Sequence, residues 1–264
     1  MVAMVLCVVV AGLFSLLLCY CFKTANDNDD AGAAADTGVP ATLQLASNDP
    51  LGPAKSLKGV QIFLMELARQ GDLFDYIKEK GPIQEKEARD FFAQMIEGLE
   101  HLHQNGICHR DIKPNNILLQ GEPGELRLKI ADFGLARRFK RGELFEEYCG
   151  TPSYCCPELL KDDVRYSPKR ADCWSLAVTF VVCLTRRLPY GDGGDGKSAV
   201  LERQRAVAAC AILGVTTPFS DGLRTIIAKM LQFDFNSRPD LASIKKDPYW
   251  CADSMGPTTA PDGD

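Results

Sequence analysis

His109-Arg110-Asp111-Ile112-Lys113-Pro114-Asn115-Asn116 is the stretch that decides the reading of this chain. It places a carboxylate, a primary amine and a carboxamide within eight residues. Sixteen residues after Asn116 comes a second such marker, Asp132-Phe133-Gly134, and Cys156-Pro157-Glu158 follows it. Any one of these aspartates alone is more simply a turn or helix-cap residue. Five fixed residues at fixed spacing arise by chance on the order of once in a few million starting points. Three such strings in this order are therefore read together.

Together they resemble the catalytic loop, the metal loop and the activation-segment end of protein kinases, over residues 59–252. The fold this implies is mainly α, a protein-kinase-like C-terminal lobe with small β elements. Phosphoryl transfer needs a group to orient the attacking hydroxyl, cations on the developing charge and oxygen ligands for magnesium. The resemblance assigns Asp111 to the hydroxyl proton and Lys113 to the transferred phosphoryl group. Asn116 and Asp132 become the Mg²⁺ ligands, since that ion prefers hard oxygens. For ATP, the string Met65-Glu66-Leu67-Ala68 resembles the hinge, where Glu66 and Ala68 would meet adenine through their backbone. Asp72, placed for the ribose or a basic substrate residue, and Leu118 complete the cofactor-binding set.

Lys113 and the later Gly150-Thr151-Pro152-Ser153-Tyr154 resemble the serine/threonine type, and the surrounding region resembles calcium/calmodulin-dependent and AMP-activated kinases. In that family Thr151 would bridge Asp111 and Lys113. Asp172 of Asp172-Cys173-Trp174-Ser175 would hold the catalytic-loop backbone, and Glu158 would pair with Arg238. Glu147 stands where such kinases often carry a phosphorylatable threonine facing the loop arginine, here Arg110. It can substitute for the phosphate, or be one solvated acid beside Glu143 and Glu146. Asn115 occupies a place where basic-directed kinases often have Glu, which leaves a preference for arginine-rich substrates unsupported.

Outward from the loop, Val60–Met65 reads as a buried strand, 72–78 as a short helix, and 85–105 as a long amphipathic helix. The last carries Ala88, Phe91, Phe92, Met95, Leu99 and Leu102 at helical spacing. Residues 117–119 and 126–130 read as strands. After residue 157 the pattern is helical, with breaks at Pro168, Pro189–Gly196, Pro218 and Pro239.

Residues 1–22 carry no charged side chain, and a helix of that length rises roughly 33 Å, about the hydrocarbon thickness. They are expected to form a transmembrane signal anchor. Lys23, Lys55 and Lys58 on its C-terminal side favour a cytosolic kinase-like domain on a single-pass membrane protein. The alternative is a wrongly assigned start and a cytoplasmic protein. Residues 23–58 read as a low-complexity linker and 253–264 as a disordered tail.

A kinase spends roughly 80 residues before the hinge on a sheet carrying a glycine-rich loop and an ATP-binding lysine. Residues 1–64 contain neither Gly-x-Gly-x-x-Gly nor Val-Ala-x-Lys. The expectation is a lower lobe with its hinge, the N-terminal lobe absent and a partner covering the exposed top.

The net charge of −5 argues against nucleic-acid binding. The eleven cysteines form no Cys-x-x-Cys pair and read as small hydrophobes of a reduced core. The expected function is transfer of the ATP γ-phosphoryl group to a protein Ser/Thr hydroxyl, from a sequence that is incomplete. The alternative is a membrane-tethered pseudokinase acting as a protein-binding module.

Overall fold

The computed structural model describes residues 68–122, 124–206 and 219–250 in full, and the backbone alone of 4–10, 16–22, 56–57, 60–65 and 251. It divides into two units, Met1–Arg69 and Gln70–Asp264.

In the first unit, β1 (Met4–Val10) pairs antiparallel with β2 (Leu16–Phe22), and β2 with β4 (Val60–Met65). The two-residue β3 (Ser56–Leu57) closes the sheet order β1-β2-β4-β3. The strand expected at Val60–Met65 is present. The continuous helix expected over residues 1–22 is corrected to two strands. Runs rich in valine, cysteine and aromatics fit a pleated ladder, and Gly12 between them weakens a helix interior. Among the described residues, no helix is long and apolar enough to cross a membrane. Most of the expected linker and the 253–264 tail lie outside the described residues.

The second unit is mainly helical. Helix α1 (Leu73–Lys80) starts at Asp72, whose Oδ1 accepts the Asp75 amide at 2.8 Å, and ends at Gly81. It buries Leu73 and Ile77, four residues apart on one face. Helix α2 (Glu85–Gln104) buries Ala88, Phe91, Phe92, Met95, Ile96, Leu99, Leu102 and His103, an apolar stripe at 3.6-residue periodicity. It packs against α4 (Pro168–Thr185), and α4 also meets α6 (Asp221–Met230).

Helix α4 is the axle of this unit. From Ala171 to Leu184 every residue is buried, so its sequence shows no polar face. Pro168 sits in its first turn, where a missing N–H costs nothing. The sequence break expected at Pro168 is thus a helix start. Short helices α3 (Pro157–Leu160), α5 (Lys197–Ala206), α7 (Leu241–Lys245) and α8 (Pro248–Cys251) complete the shell. Side-chain caps at Ser220 and Asp240 begin α6 and α7. Pro218 lies outside the described residues.

Two small ladders carry the loops. β6 (Ile117–Gln120) pairs antiparallel with β7 (Arg127–Ile130), and β5 (Ile107–Cys108) with β8 (Arg137–Arg138). These ladders bring residues 109–116 and 131–136 side by side.

Candidate active site

Residues 109–113 form a loop that leaves β5 and runs into a 3₁₀ turn, Pro114–Asn116, before β6, and the loop is anchored from below by α4. The Asp172 carboxylate is fully buried. Its Oδ2 accepts the His109 amide at 3.0 Å and its Oδ1 the Arg110 amide at 2.8 Å. The His103 ring nitrogen lies 2.8 Å from Oδ2. Burial pushes the Asp172 carboxyl upward, but these partners outweigh it and hold it below the ordinary aspartate value. The carboxylate thus fixes two successive amides of the loop. Arg110 accordingly adopts a left-handed backbone, φ 70°, an uncommon conformation for a non-glycine residue.

Above that anchor the Asp111 side chain collects donors. Lys113 Nζ donates to its Oδ2 at 2.7 Å, and Asn116 Nδ2 to the same oxygen at 3.1 Å. The Thr151 hydroxyl donates to Oδ1 at 2.8 Å and the Thr151 amide at 3.1 Å. Lys113 Nζ donates at 2.9 Å to the Thr151 hydroxyl, so Thr151 bridges Asp111 and Lys113. Burial raises the Asp111 carboxyl, yet hydrogen bonds from Lys113 and Thr151 bring it below the usual aspartate range. Asp111 is therefore a carboxylate suited to aligning a hydroxyl rather than to holding its proton in the ground state.

Thr151 reaches Asp111 because Gly150 lets two backbones touch. Gly150 has φ 92°, and a Cβ there would stand 2.7 Å from the Arg110 carbonyl oxygen. Only glycine fits this approach.

Asn116 and Asp132, the residues expected to hold magnesium, meet at one end of the β6–β7 hairpin. The Ala131 amide donates to the Asn116 carbonyl at 2.9 Å, which sets Asp132 beside Asn116. The Asn116 Nδ2 is committed to the Asp111 backbone oxygen at 2.8 Å and its carboxylate. Amide geometry then turns the Asn116 side-chain oxygen the other way. Asp132, at φ 58°, uses Oδ1 to accept the Gly134 amide at 3.2 Å. One carboxylate and one amide oxygen suit Mg²⁺, which keeps several waters and shares phosphate oxygens. Among the described residues no cluster of three or more His, Cys, Asp or Glu could hold a metal. A softer, fully protein-caged ion has no match there.

The nucleotide-contacting set is less fully placed. Glu66 lies outside the described residues, and Ala68 is half-buried. Asp72 spends one carboxylate oxygen as the cap of α1 and forms a β-bridge with Leu118 on β6. Leu118 is half-buried.

Supporting contacts extend below the loop. Glu158 pairs with Arg238 at 2.9 and 3.2 Å, with both side chains buried. The Arg238 guanidinium also lies 4.9 Å from the Trp174 ring centroid. Ser175 donates to the Tyr154 carbonyl and Gln204 to the Cys155 carbonyl, each at 2.9 Å. These two bonds hold the segment after Thr151 against α4 and α5. Sequence reasoning missed His103, Gln204 and Arg137. His103 had a signal, since it continues the buried stripe of α2; Gln204 had none.

The protein kinase domain family model matches residues 55–250. The chain belongs to the protein kinase family. It is 34% identical over 197 residues to testis-specific serine/threonine-protein kinase 3 of Mus musculus, covering 74% of this chain and 70% of that one. It is 35% identical over 187 residues to the SNF1-related protein kinase catalytic subunit alpha KIN12 of Arabidopsis thaliana, covering 71% of this chain and 36% of the relative. A probable serine/threonine-protein kinase of Dictyostelium discoideum is 35% identical over 187 residues, covering 71% of this chain and 21% of its own length. The chain thus spans well under half of the second and third of these relatives. Within the kinase family, the resemblance to the serine/threonine type is the one its named relatives share.

Proposed function

We propose that this chain acts as a serine/threonine protein kinase, transferring the γ-phosphoryl group of ATP to a Ser or Thr hydroxyl of a protein. The observation that carries the reading is the convergence of Lys113, Asn116 and Thr151 on both oxygens of Asp111.

The arrangement suits a reaction in which positioning and charge stabilisation do most of the work. Asp111 aligns the attacking hydroxyl and takes up its proton as the bond forms. Lys113 sits 2.7 Å from Asp111, so its ammonium stands beside the path of the transferred phosphoryl group. Thr151 holds these two charges in register and joins the catalytic loop to the segment a protein substrate would meet. Asn116 and Asp132 fit a magnesium ion, which when bound would neutralise phosphate charge. From the second unit, Asp72 and Leu118, joined by a β-bridge, would meet the nucleotide. Membrane attachment through residues 1–22 and a partner over the top of the lobe were expectations from the sequence, and neither supports this reading.

The test is phosphate transfer from ATP to serine- and tyrosine-containing peptides by the full chain. Transfer to serine alone is expected. Asp111→Asn should lower kcat by roughly 10²–10⁴-fold, the usual range for a positioned acid–base group, with an unchanged circular-dichroism spectrum. Equal transfer by Asp111→Asn and the wild type would overturn the reading.

A further inference from the structure

The segment between Asp132 and Thr151 contains neither serine nor threonine, yet it is firmly held. Phe145 and Tyr166 exchange two backbone hydrogen bonds, at 2.9 and 3.0 Å, in an isolated antiparallel bridge. The Phe145 ring is buried, with the Arg137 guanidinium 4.3 Å and the Arg110 guanidinium 5.6 Å from its centroid. Two residues on, the Glu147 carboxylate accepts from Arg137 at 2.8 Å and from Arg110. Residues two apart on extended chain share a side. One ring and one carboxylate therefore address the same pair of cations.

Those cations belong to the parts of the site that must be aligned. Arg110 precedes Asp111, and its backbone amide is held by Asp172. Its Nε also donates to the Leu135 carbonyl at 2.6 Å, just beyond Asp132-Phe133-Gly134. Arg137 lies in β8, paired through Cys108 with β5 at the entrance to the catalytic loop. Glu147 itself is four residues before Thr151. The cluster ties the catalytic loop, the metal loop and the segment leading to Thr151 at one point. Without the carboxylate, two guanidiniums would sit against one aromatic ring, with Glu143 at 3.9 Å from Arg137 the carboxylate left beside them among the described ion pairs.

We propose that Glu147, seated with Phe145 on Arg110 and Arg137, is a positioning residue that keeps this segment in its working arrangement with no phosphorylation of it. The proposal rests on the kinase reading above and names the regulation of that site: Ser/Thr phosphorylation between Asp132 and Thr151 has no acceptor, and the built-in carboxylate takes the role a phosphate would otherwise fill.

The test is hydrogen exchange on the full chain after phosphatase treatment, read at the Phe145 and Tyr166 amides. In the wild type both amides should be protected. Glu147→Gln, which keeps shape and removes charge, should speed their exchange about two- to tenfold, because the Glu147 carboxylate and Arg137 are half-exposed to water while the Arg110 side chain is nearly buried. Arg137→Gln should do the same, and Glu147→Asp should restore most of the protection. In the transfer assay Glu147→Gln should lower kcat with the KM for ATP within about twofold, as loss of alignment rather than of nucleotide binding requires. Unprotected wild-type amides, unchanged exchange in Glu147→Gln, or altered exchange with unchanged kcat would each overturn the proposal. If the wild type transfers no phosphate but exchange responds as expected, the kinase reading fails and the clamp stands.

Discussion

The two sides of the catalytic loop are built from the same chemistry and to different ends. Beneath it, Asp172 is fully buried and its donors are two backbone amides with the His103 ring. Above it, Asp111 is met by Lys113, Asn116 and Thr151. Both carboxylates are held below their ordinary pKa against the upward push of burial. The difference lies in what the donors can do next. Amides locked beneath a core helix cannot leave, so Asp172 sets shape. Side-chain donors can re-aim at an incoming hydroxyl and phosphoryl group, so Asp111 is available for chemistry. Rigid support below and exchangeable partners above are what a preorganised site requires.

The sharpest way to break this contrast is Asp172→Asn. An amide side chain cannot accept as strongly from two backbone N–H groups and a histidine, and its own NH₂ becomes a buried donor. A loss of roughly 2–4 kcal/mol is expected, read as a lower urea midpoint at unchanged m-value. The pH dependence should fall with it. A carboxyl with a depressed folded pKa binds fewer protons when folded than unfolded, so its contribution is complete above the unfolded value, about 3.9. It is lost as pH falls through the lower folded value. His103 and His109 are the titratable groups facing it, with Cys108 nearby. The wild type should therefore lose stability more steeply below about pH 4 than Asp172→Asn does. Parallel acid-unfolding curves for the two proteins would show that Asp172 is not the anchor.

A smaller effect is expected at the contact joining the two sides. Gly150→Ala puts a Cβ 2.7 Å from the Arg110 carbonyl oxygen at a backbone φ of 92°. The carbonyl oxygen it meets is main chain and cannot swing aside; the next atom, the Cys155 sulfur at 3.4 Å, is in ordinary contact. The cost should be about 1–3 kcal/mol of local strain, and the segment can shed it by pulling Thr151 off Asp111. Transfer activity should then fall further than thermal stability does. Loss of stability with full retained activity in the survivors would mean that the Thr151 bridge is dispensable.

Much of this was legible in the sequence, for a physical reason. Asp111, Lys113, Asn116 and Asp132 sit on short loops whose ends are fixed by neighbouring ladders, so their spacing along the chain nearly determines their spacing in space. The α2 stripe was equally readable, because a helix with one buried face writes its periodicity into the residues. Helix α4 was not readable in that way, since a helix buried all round has no polar face to reveal it. Residues 1–22 misled for a related reason: an uncharged apolar run satisfies the length rule for a spanning helix and the composition of paired strands alike. The Phe145–Arg137 contact depends on β5 and β8 meeting, twenty-nine residues apart at Cys108 and Arg137, and no local pattern encodes that. Glu147 was visible as an alternative between partner and solvated acid. The contacts of its carboxylate with Arg110 and Arg137 weight the choice.

The smallest expected effect sharpens the contrast from outside the site. Lys245 near the end of α7 bridges Glu100 at 3.1 Å and Glu97 at 3.8 Å on α2, a cross-helix ion pair with an exposed lysine. Its geometry resembles that of Lys113 with Asp111, but water competes for both partners and ordering a long side chain costs rotamer entropy. Lys245→Gln should therefore change stability by no more than about 0.5 kcal/mol, and less at 0.5 M salt than at 0.05 M, where screening is weak. Phosphate transfer should be unaltered. If Lys245→Gln instead cost as much as Asp172→Asn, burial would not be what separates the anchoring carboxylate from the others, and the division of labour around the loop would need a different cause.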